Sequence, residues 1–397
     1  MIAKKLIEEL LYCGFHISFQ ESQLFIDGDV ENISADVLEQ VKLNKNEIIN
    51  FLKLNQLDSD NVSPAAVSEW YPTTPAQKRM FLLQQLNPSS KAYNISDTFF
   101  IDQQTDIVKL TETINKIINR HESLRTSFKI IDGTLMQKIE ENILFSLAEV
   151  TLGKEDYQDE INSSIEPFDI LSFPLFRIKI FHRKYDSSIL LIDMHHIISD
   201  QISFEILKND LFQIHAGIEL KPLSLQYKDF AVWLDILQKE HRLDFSEIYW
   251  FNKFKDKPSP LNLPYDYSRP YNFDYKGATV NVLLSNRETL ILKQVASELN
   301  VTYSTLFLAI LKILLFKITS KEDICIGMPV SGRNNLDLQT IVGVFINTLV
   351  IRSGADSSLS IKDYILKIKD LVIEALENQS YPFENLIGKL FQDRDLS

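Results

Sequence analysis

The residues Ile189-Leu190-Leu191-Ile192 form an unbroken apolar run that turns polar at Asp193-Met194-His195-His196. A short apolar run of this kind predicts a buried strand. The polar end of such a strand belongs at a sheet edge or in a crevice, where ligands bind in layered α/β folds. Asp200 follows four residues after the second histidine, and the whole chain has only seven histidines. Histidine is the side chain that ordinarily exchanges protons near neutrality. A lone histidine in an apolar setting is more often a packed core residue, so the pair gains weight only from its context. Adjacent strand residues point to opposite faces, so His195 and His196 are poorly placed to share a metal ion. No Cys-x-x-Cys or His-Glu-x-x-His pattern supplies further ligands, and no metal site is expected.

The formal net charge of -13 argues against nucleic acid as the main partner, because phosphate binding needs basic surface. The two cysteines, Cys13 and Cys325, lie too far apart in the chain to suggest a disulfide framework. Acids at Glu8 and Glu9 come too early for a secretory signal. The most apolar helix candidate, Leu306 to Ile318, is interrupted by Lys312 and is too short to span a bilayer. A soluble, cytoplasmic protein is expected, without membrane partners.

The first 55 or so residues read as a unit of their own. Ile2, Leu6, Leu10 and Cys13 recur at helical spacing until Gly14 breaks the pattern. Ile17 and Phe19, then Leu24 and Ile26, alternate with other residues around Glu21-Ser22, a hairpin signal. Ser34 and Asn44 each stand where a helix N-cap belongs. The order is helix, hairpin, helix, helix, and a core that small is marginal alone. Dimerisation or a bound partner would help it. A polar stretch from Asn55 to Ser68 reads as a linker. The larger body then alternates strands and helices. Helices are expected over Asp106 to Arg120, Ser203 to His215, Arg287 to Leu299, Ser304 to Thr319 and Ile361 to Glu377. Strands are expected at Phe176-Ile180, Thr279-Leu284 and Ile324-Gly327, and a charged, aromatic stretch around Lys239 to Lys257 links two similar-sized lobes. The fold class is α/β, or α+β.

Several segments then occur in a telling order. Thr74-Pro75-Ala76-Gln77-Lys78-Arg79-Met80-Phe81 precedes Arg120-His121-Glu122-Ser123-Leu124-Arg125-Thr126-Ser127-Phe128. The histidine segment follows, then Tyr227-Lys228-Asp229-Phe230-Ala231-Val232-Trp233. Val342-Gly343-Val344-Phe345-Ile346-Asn347-Thr348 and Tyr381-Pro382-Phe383-Glu384 come last. Together these resemble the condensation domains of nonribosomal peptide synthetases, from about residue 68 to the end. The first 55 residues are similar in size, element order and position to the N-terminal docking domains of the tubulysin-synthetase type.

The resemblance implies a docking domain of α-β-β-α-α order over 1–56, a linker over 57–67, and two chloramphenicol-acetyltransferase-like lobes, 68–245 and 246–397, in a V shape. It implies an active site in a tunnel between the lobes. An upstream carrier protein would present an acyl or peptidyl thioester, and a downstream carrier an aminoacyl thioester whose amine attacks it. The 4'-phosphopantetheine arms belong to the partners, so no cofactor is expected on this chain. The expected product is an amide bond in nonribosomal peptide or hybrid polyketide-peptide biosynthesis, the chemistry of antibiotics and other secondary metabolites.

Residue roles follow from the resemblance. His196 is expected at the reacting atoms, with His195 structural. Asp200 either completes a catalytic group or orients its loop, and the resemblance implies a salt bridge to an arginine, Arg125 first and Arg120 second. Asn347 either donates to the oxyanion or caps a loop. Gly343 permits close backbone approach, and Gly343, Ser199 and Gln201 are expected along the tunnel. Tyr227, Trp233 and Phe383 are expected to pack. Ile17, Phe19, Leu24 and Ile26 mark a docking surface for the C-terminal segment of an upstream synthetase. A homodimer through the docking domain is the other expectation there.

Two departures matter. The family usually has glycine where Gln201 stands, and the end at Arg394-Asp395-Leu396-Ser397 resembles the start of a further motif, so a truncated second lobe is expected. The histidine pair argues against the heterocyclising subtype, and the position at a chain start argues against the epimerising one. A catalytically silent platform that recruits carrier or tailoring proteins is the competing reading, kept open by Gln201.

Overall fold

The apolar run at Ile189 is the centre of a four-stranded sheet in the computed structural model of the chain. The structure describes residues 2–12, 15–20, 23–27, 33–54, 62–141, 143, 145–153, 157–183, 187–268, 277–354 and 358–390. The chain divides into two compact units, one of residues 1–58, 241–330 and 347–397, the other of residues 59–240 and 331–346.

The first unit begins with α1 (Ile2–Tyr12), β1 (His16–Gln20), β2 (Gln23–Asp27), α2 (Ala35–Leu43) and α3 (Lys45–Leu54). This is the expected order, although Cys13, Gly14, Glu21 and Ser22 lie outside the described residues. Ser34 caps α2, its hydroxyl accepting from Val37 N–H at 3.3 Å. Asn44 stands before α3 as expected, and its carbonyl accepts the Ile48 N–H at 3.0 Å. Its side-chain amide instead serves α2, donating to the Gln40 carbonyl at 2.8 Å.

The second unit runs through β3 (Tyr71–Pro72), α4 (Pro75–Leu86), β4 (Asn94–Ile101), α5 (Ile107–Arg120), β5 (Thr126–Ile131), β6 (Thr134–Ile139), β7 (Ala148–Thr151), α6 (Gln158–Ser163), β8 (Phe176–His182), β9 (Ser188–His195), α7 (Gln201–His215) and α8 (Tyr227–Lys239). The larger sheet has the order β4-β9-β8-β7, with β9 antiparallel to both neighbours and β7 parallel to β8. Every residue of β9 is buried, because both faces are covered. Leu190, Ile192 and Met194 pack with Ile114 and Ile118 of α5 and with Leu207 and Leu211 of α7. Ile189 and Leu191 pack on the other face with Ile161 of α6. The strand alternation alone sorts these residues between two cores.

The chain returns to the first unit with α9 (Asp244–Lys253), α10 (Asn286–Glu298), α11 (Tyr303–Thr319), β10 (Asp323–Val330), β11 (Asn347–Gly354), α12 (Ile361–Glu377) and α13 (Phe383–Leu390). Ile248 of α9 lies in one cluster with Leu6, Ile7, Leu10, Ile17 and Ile48, and Phe245 packs against it. Lys4 donates to Asp244 at 2.8 Å. The small N-terminal core thus gains its cover from α9. β10 and β11 form an antiparallel pair, with Ile326 opposite Ile351. Lys312 interrupts the apolar pattern of α11 for a reason. Its fully buried ammonium donates to the Ile324 and Ile351 carbonyls, each at 2.8 Å. Burial pulls its pKa down to about 8.

The segment Thr279-Leu284, read as a strand, joins no sheet among the described residues. Val280 is 85% exposed and Leu283 94%. Apolar patterning is a local signal, whereas a strand exists only where a second backbone meets it.

Candidate active site

β9 delivers His195 into the core and His196 to the start of a 3₁₀ turn, His196–Ile198. The backbone is pinned from both sides: His195 N–H donates to Leu175 O at 2.9 Å and His196 N–H to Tyr93 O at 2.7 Å. The His195 ring is fully buried, edge-on to Phe168 and tilted against Tyr93. Its Nδ1 accepts the Ile197 N–H at 3.0 Å, so in the neutral ring the proton sits on Nε2. That nitrogen faces Gln84 Oε1 at 3.4 Å. The Gln84 amide nitrogen lies within 3.4 Å of the Pro88, Ser90 and Phe168 carbonyls, which leaves its oxygen to face the ring. Burial first, and then the neighbouring His196, pull the His195 pKa down to about 3. His195 therefore serves the fold in its neutral form.

His196 is half-buried, and its Nδ1 lies 2.6 Å from the Ser199 carbonyl oxygen. A carbonyl can only accept, so Nδ1 carries the proton and Nε2 of the neutral ring carries the lone pair. Ser199 is wholly buried, and its hydroxyl returns to the His195 carbonyl at 3.3 Å. It clamps the turn. Gln77, two helical turns from Gln84 on α4, reaches the Ile197 carbonyl at 3.4 Å. Thr74 and Gln77 form the capping box that starts α4, with Pro75 opening the helix.

Asp200 caps α7 and pairs with Arg333, not with Arg125 or Arg120 as expected. Arg333 makes a two-pronged contact, Nη1 to Oδ2 at 2.6 Å and Nη2 to Oδ1 at 3.0 Å. Both side chains are almost wholly buried. Asp200 also accepts from Ser203 N–H and Oγ–H, at 2.9 and 2.8 Å, and from Phe345 N–H at 3.2 Å. None of these five donors is His196, so Asp200 orients the loop and no relay runs through it. Arg125 donates to the Ile118, Asn119 and Glu140 carbonyls. Arg120 holds Asp210 at 2.8 Å and the Lys221 carbonyl at 2.6 Å. Their motif fixes the end of α5. Arg333 lies 133 residues beyond Asp200, and its one local signal is the preceding Gly332. Gly332 has φ +68°, and a Cβ there would lie 1.9 Å from the Phe345 carbonyl oxygen.

Gly343 meets its expected close approach: a Cβ there would sit 2.0 Å from the Tyr227 ring. Tyr227 packs as expected and also hydrogen-bonds, donating to the Val344 carbonyl at 2.8 Å. Gln201 is exposed and opens α7 with ordinary helical backbone, so the chain path there does not demand glycine. Asn347 takes the loop-capping role. Its amide nitrogen donates to the Gln379 and Tyr381 carbonyls, and its oxygen accepts from Thr348 and Phe383 N–H. Both amide hydrogens are used, which leaves no donor for an oxyanion. Ile17, Phe19, Leu24 and Ile26 turn toward their own core, not outward, and Phe25 is the apolar hairpin residue that faces solvent. Among the described residues no cluster of three or more His, Cys, Asp or Glu is placed to hold a metal.

His121 is a second buried histidine, its Nε2 3.0 Å from Asp210, and burial lowers its pKa. The sign for stability follows from proton counting. Below about 6.5, the ordinary histidine value, the unfolded chain binds protons that folded His195 and His121 refuse. Stability is full above that value and falls on acidification, for His195 down to about 3. Asp210, held below its ordinary range, acts in the same direction, and Asp193, raised by burial, opposes it only in the carboxylate range. Each histidine contributes a slope of up to about 1.4 kcal/mol per pH unit. Denaturant midpoints measured between pH 7.5 and pH 5 are expected to fall steadily; a flat profile would show that these rings protonate in the folded state.

Residues 67–397 match the condensation domain family, and the chain belongs to that family, the condensation domains of nonribosomal peptide synthetases. It is 37% identical over 394 residues to bacitracin synthase 2 of Bacillus licheniformis, covering 98% of this chain and 15% of that protein. It is 38% identical over 336 residues to gramicidin S synthase 2 of Brevibacillus brevis, covering 85% of this chain and 8% of the relative. The chain thus spans a small part of each. The X-domain from teicoplanin biosynthesis, solved in complex with OxyB, shares the fold with TM-score 0.79 at 23% identity, over 85% of this chain and 77% of that one. No single helix among the described residues is long and apolar enough to cross a membrane.

Proposed function

We propose that this chain joins an acyl or peptidyl thioester on an upstream carrier to the amine of an aminoacyl thioester on a downstream carrier. The observation that carries the reading is the 2.6 Å contact of His196 Nδ1 with the Ser199 carbonyl, which sets the tautomer; Nε2 has no hydrogen-bond partner among the described residues. The amine nitrogen attacks the thioester carbonyl, a C–N bond forms and the C–S bond breaks. His196 Nε2 takes the proton lost by the amine and returns it to the departing thiolate. The phosphopantetheine arms are carried by the partners, and this chain supplies geometry and one base. A cytoplasmic location fits such partners.

The test is intact-mass spectrometry of the downstream carrier after mixing with an acylated upstream carrier and this protein, beside a His196→Ala variant. Elongated product with the wild type and next to none with the variant supports condensation. The competing platform reading draws support from Asp200, whose bonds all serve the fold. No transfer from any of several donors by folded protein would establish it, whereas equal yields with and without His196 would take that ring out of the chemistry.

We also infer that the β1–β2 hairpin receives the C-terminal segment of an upstream synthetase by strand addition. Each strand has one edge without a strand partner among the described residues, and Phe25 stands beside it, 43% exposed. Dimerisation through residues 1–56 loses its motive, since α9 already covers that core. Deleting the segment would expose Ile248, so Phe25→Glu is the cleaner probe. It is expected to weaken transfer from an intact upstream subunit at least tenfold while sparing transfer from a free carrier at high concentration. Unchanged coupling to the intact subunit would remove the docking assignment.

A further inference from the structure

Residues 341–345 pair with no strand among those described, yet side chains meet several of their backbone groups. Arg333 donates to the Ile341 carbonyl at 3.1 Å, Ser123 to the Val342 carbonyl, and Tyr227 to the Val344 carbonyl. Asp200 takes the Phe345 N–H. Ser203 takes the residue in the middle: its Oγ lies 3.0 Å from both Gly343 N and Gly343 O.

Ser203 has no exposed surface, and its hydroxyl has further neighbours. It contacts Asp200 Oδ1 at 2.8 Å, Arg333 Nη2 at 3.3 Å and Asp200 N–H at 3.2 Å. The last contact matters most. Asp200 N–H and the Ser199 carbonyl are two ends of one planar peptide unit. Ser203 Oγ holds the N–H end, and His196 Nδ1–H holds the oxygen end at 2.6 Å. The plane cannot turn without disturbing both bonds.

We propose that Ser203 is a positioning residue for His196. Through this peptide plane it fixes the Ser199 carbonyl, and with it the tautomer that leaves Nε2 free. Through Gly343 it ties the histidine turn to segment 341–345. The effect on amide formation rests on the condensation reading, whereas the effect on the ring does not.

The experiment separates the two. Protein labelled with 15N-histidine is compared as wild type, Ser203→Ala and Ser203→Thr, with the His196 signals identified by their loss in His196→Ala. Wild type is expected to show one tautomer, protonated at Nδ1. Ser203→Ala is expected to shift the ring nitrogens toward an average of both tautomers, and Ser203→Thr, which keeps the hydroxyl, to restore them. At saturating carriers kcat is expected to fall about tenfold in Ser203→Ala, the scale of one lost buried hydrogen bond, with KM for the carriers within twofold. If Ser203→Ala does not fold, Ser203→Cys, of similar volume and weak hydrogen bonding, carries the same readouts. An unchanged tautomer with only a lower Tm would reduce Ser203 to a helix cap and overturn the proposal. A shifted tautomer in a protein whose wild type makes no amide would uphold the positioning role and sink the condensation reading.

Discussion

Arg333→Ala is expected to lower the unfolding free energy by about 3–5 kcal/mol, because it leaves the Asp200 carboxylate buried without its cation. The two side chains are 0% and 5% exposed, so water cannot replace the lost partner. The Ile341 carbonyl loses its Arg333 Nη2 donor at 3.1 Å as well, while the Gly343 carbonyl, 3.4 Å from Nη2, keeps the Ser203 hydroxyl beside it. The loss corresponds to a drop in Tm of roughly 10 °C, at about 2–4 °C per kcal/mol for units of this size. Arg333→Lys is expected to recover little of it, because an ammonium cannot reproduce the planar two-pronged contact. A double-mutant cycle is the sharp measurement. Asp200→Ala and Arg333→Ala should be strongly coupled, and Asp200→Ala and Arg125→Ala nearly additive, since Arg125 spends its donors on carbonyls near its own helix. Strong coupling to Arg125 instead would contradict the pairing.

His196→Ala is expected to reduce kcat for amide formation by about 10²–10⁴-fold, the range for a positioned general base. Some transfer should survive, because two thioesters held in attack geometry react faster even without a base. Stability should change little: the ring is half-buried, and its one described hydrogen bond, to the Ser199 carbonyl, lies within its own turn. A folded variant that retains the wild-type rate would move His196 out of the chemistry.

The two experiments address residues of unequal legibility. Four consecutive apolar residues were enough to place β9, and strand alternation then accounts for a core-facing His195. A histidine pair at the end of that strand pointed to His196. A capping pattern located α2, and helical spacing located α1, α5, α10, α11 and α12. All these signals lie within a few residues of the structure they encode. Asn44 shows their limit, because a polar residue between two helices can serve either one. The Thr279-Leu284 segment shows another, because its pattern is right for a strand and no neighbouring backbone meets it.

The partner of Asp200 depended on tertiary structure. Arg120 and Arg125 stand in a motif with the right composition, but the end of α5 directs Arg120 to Asp210, and the 3₁₀ turn after it, Glu122–Arg125, directs Arg125 to nearby carbonyls. Arg333 reaches Asp200 because residues 331–346 leave the strands that flank them and pack in the other unit. The same excursion brings Gly343 beneath Tyr227 and Phe345 N–H to Asp200. By itself the sequence determined several of the helices, the N-terminal hairpin, the buried strand and the histidine at its end, because burial periodicity and capping are written over short spans of chain. Only the tertiary structure decided which charges meet and which amides are already engaged, because a buried carboxylate takes whatever cation the closed chain brings to it, here one 133 residues away.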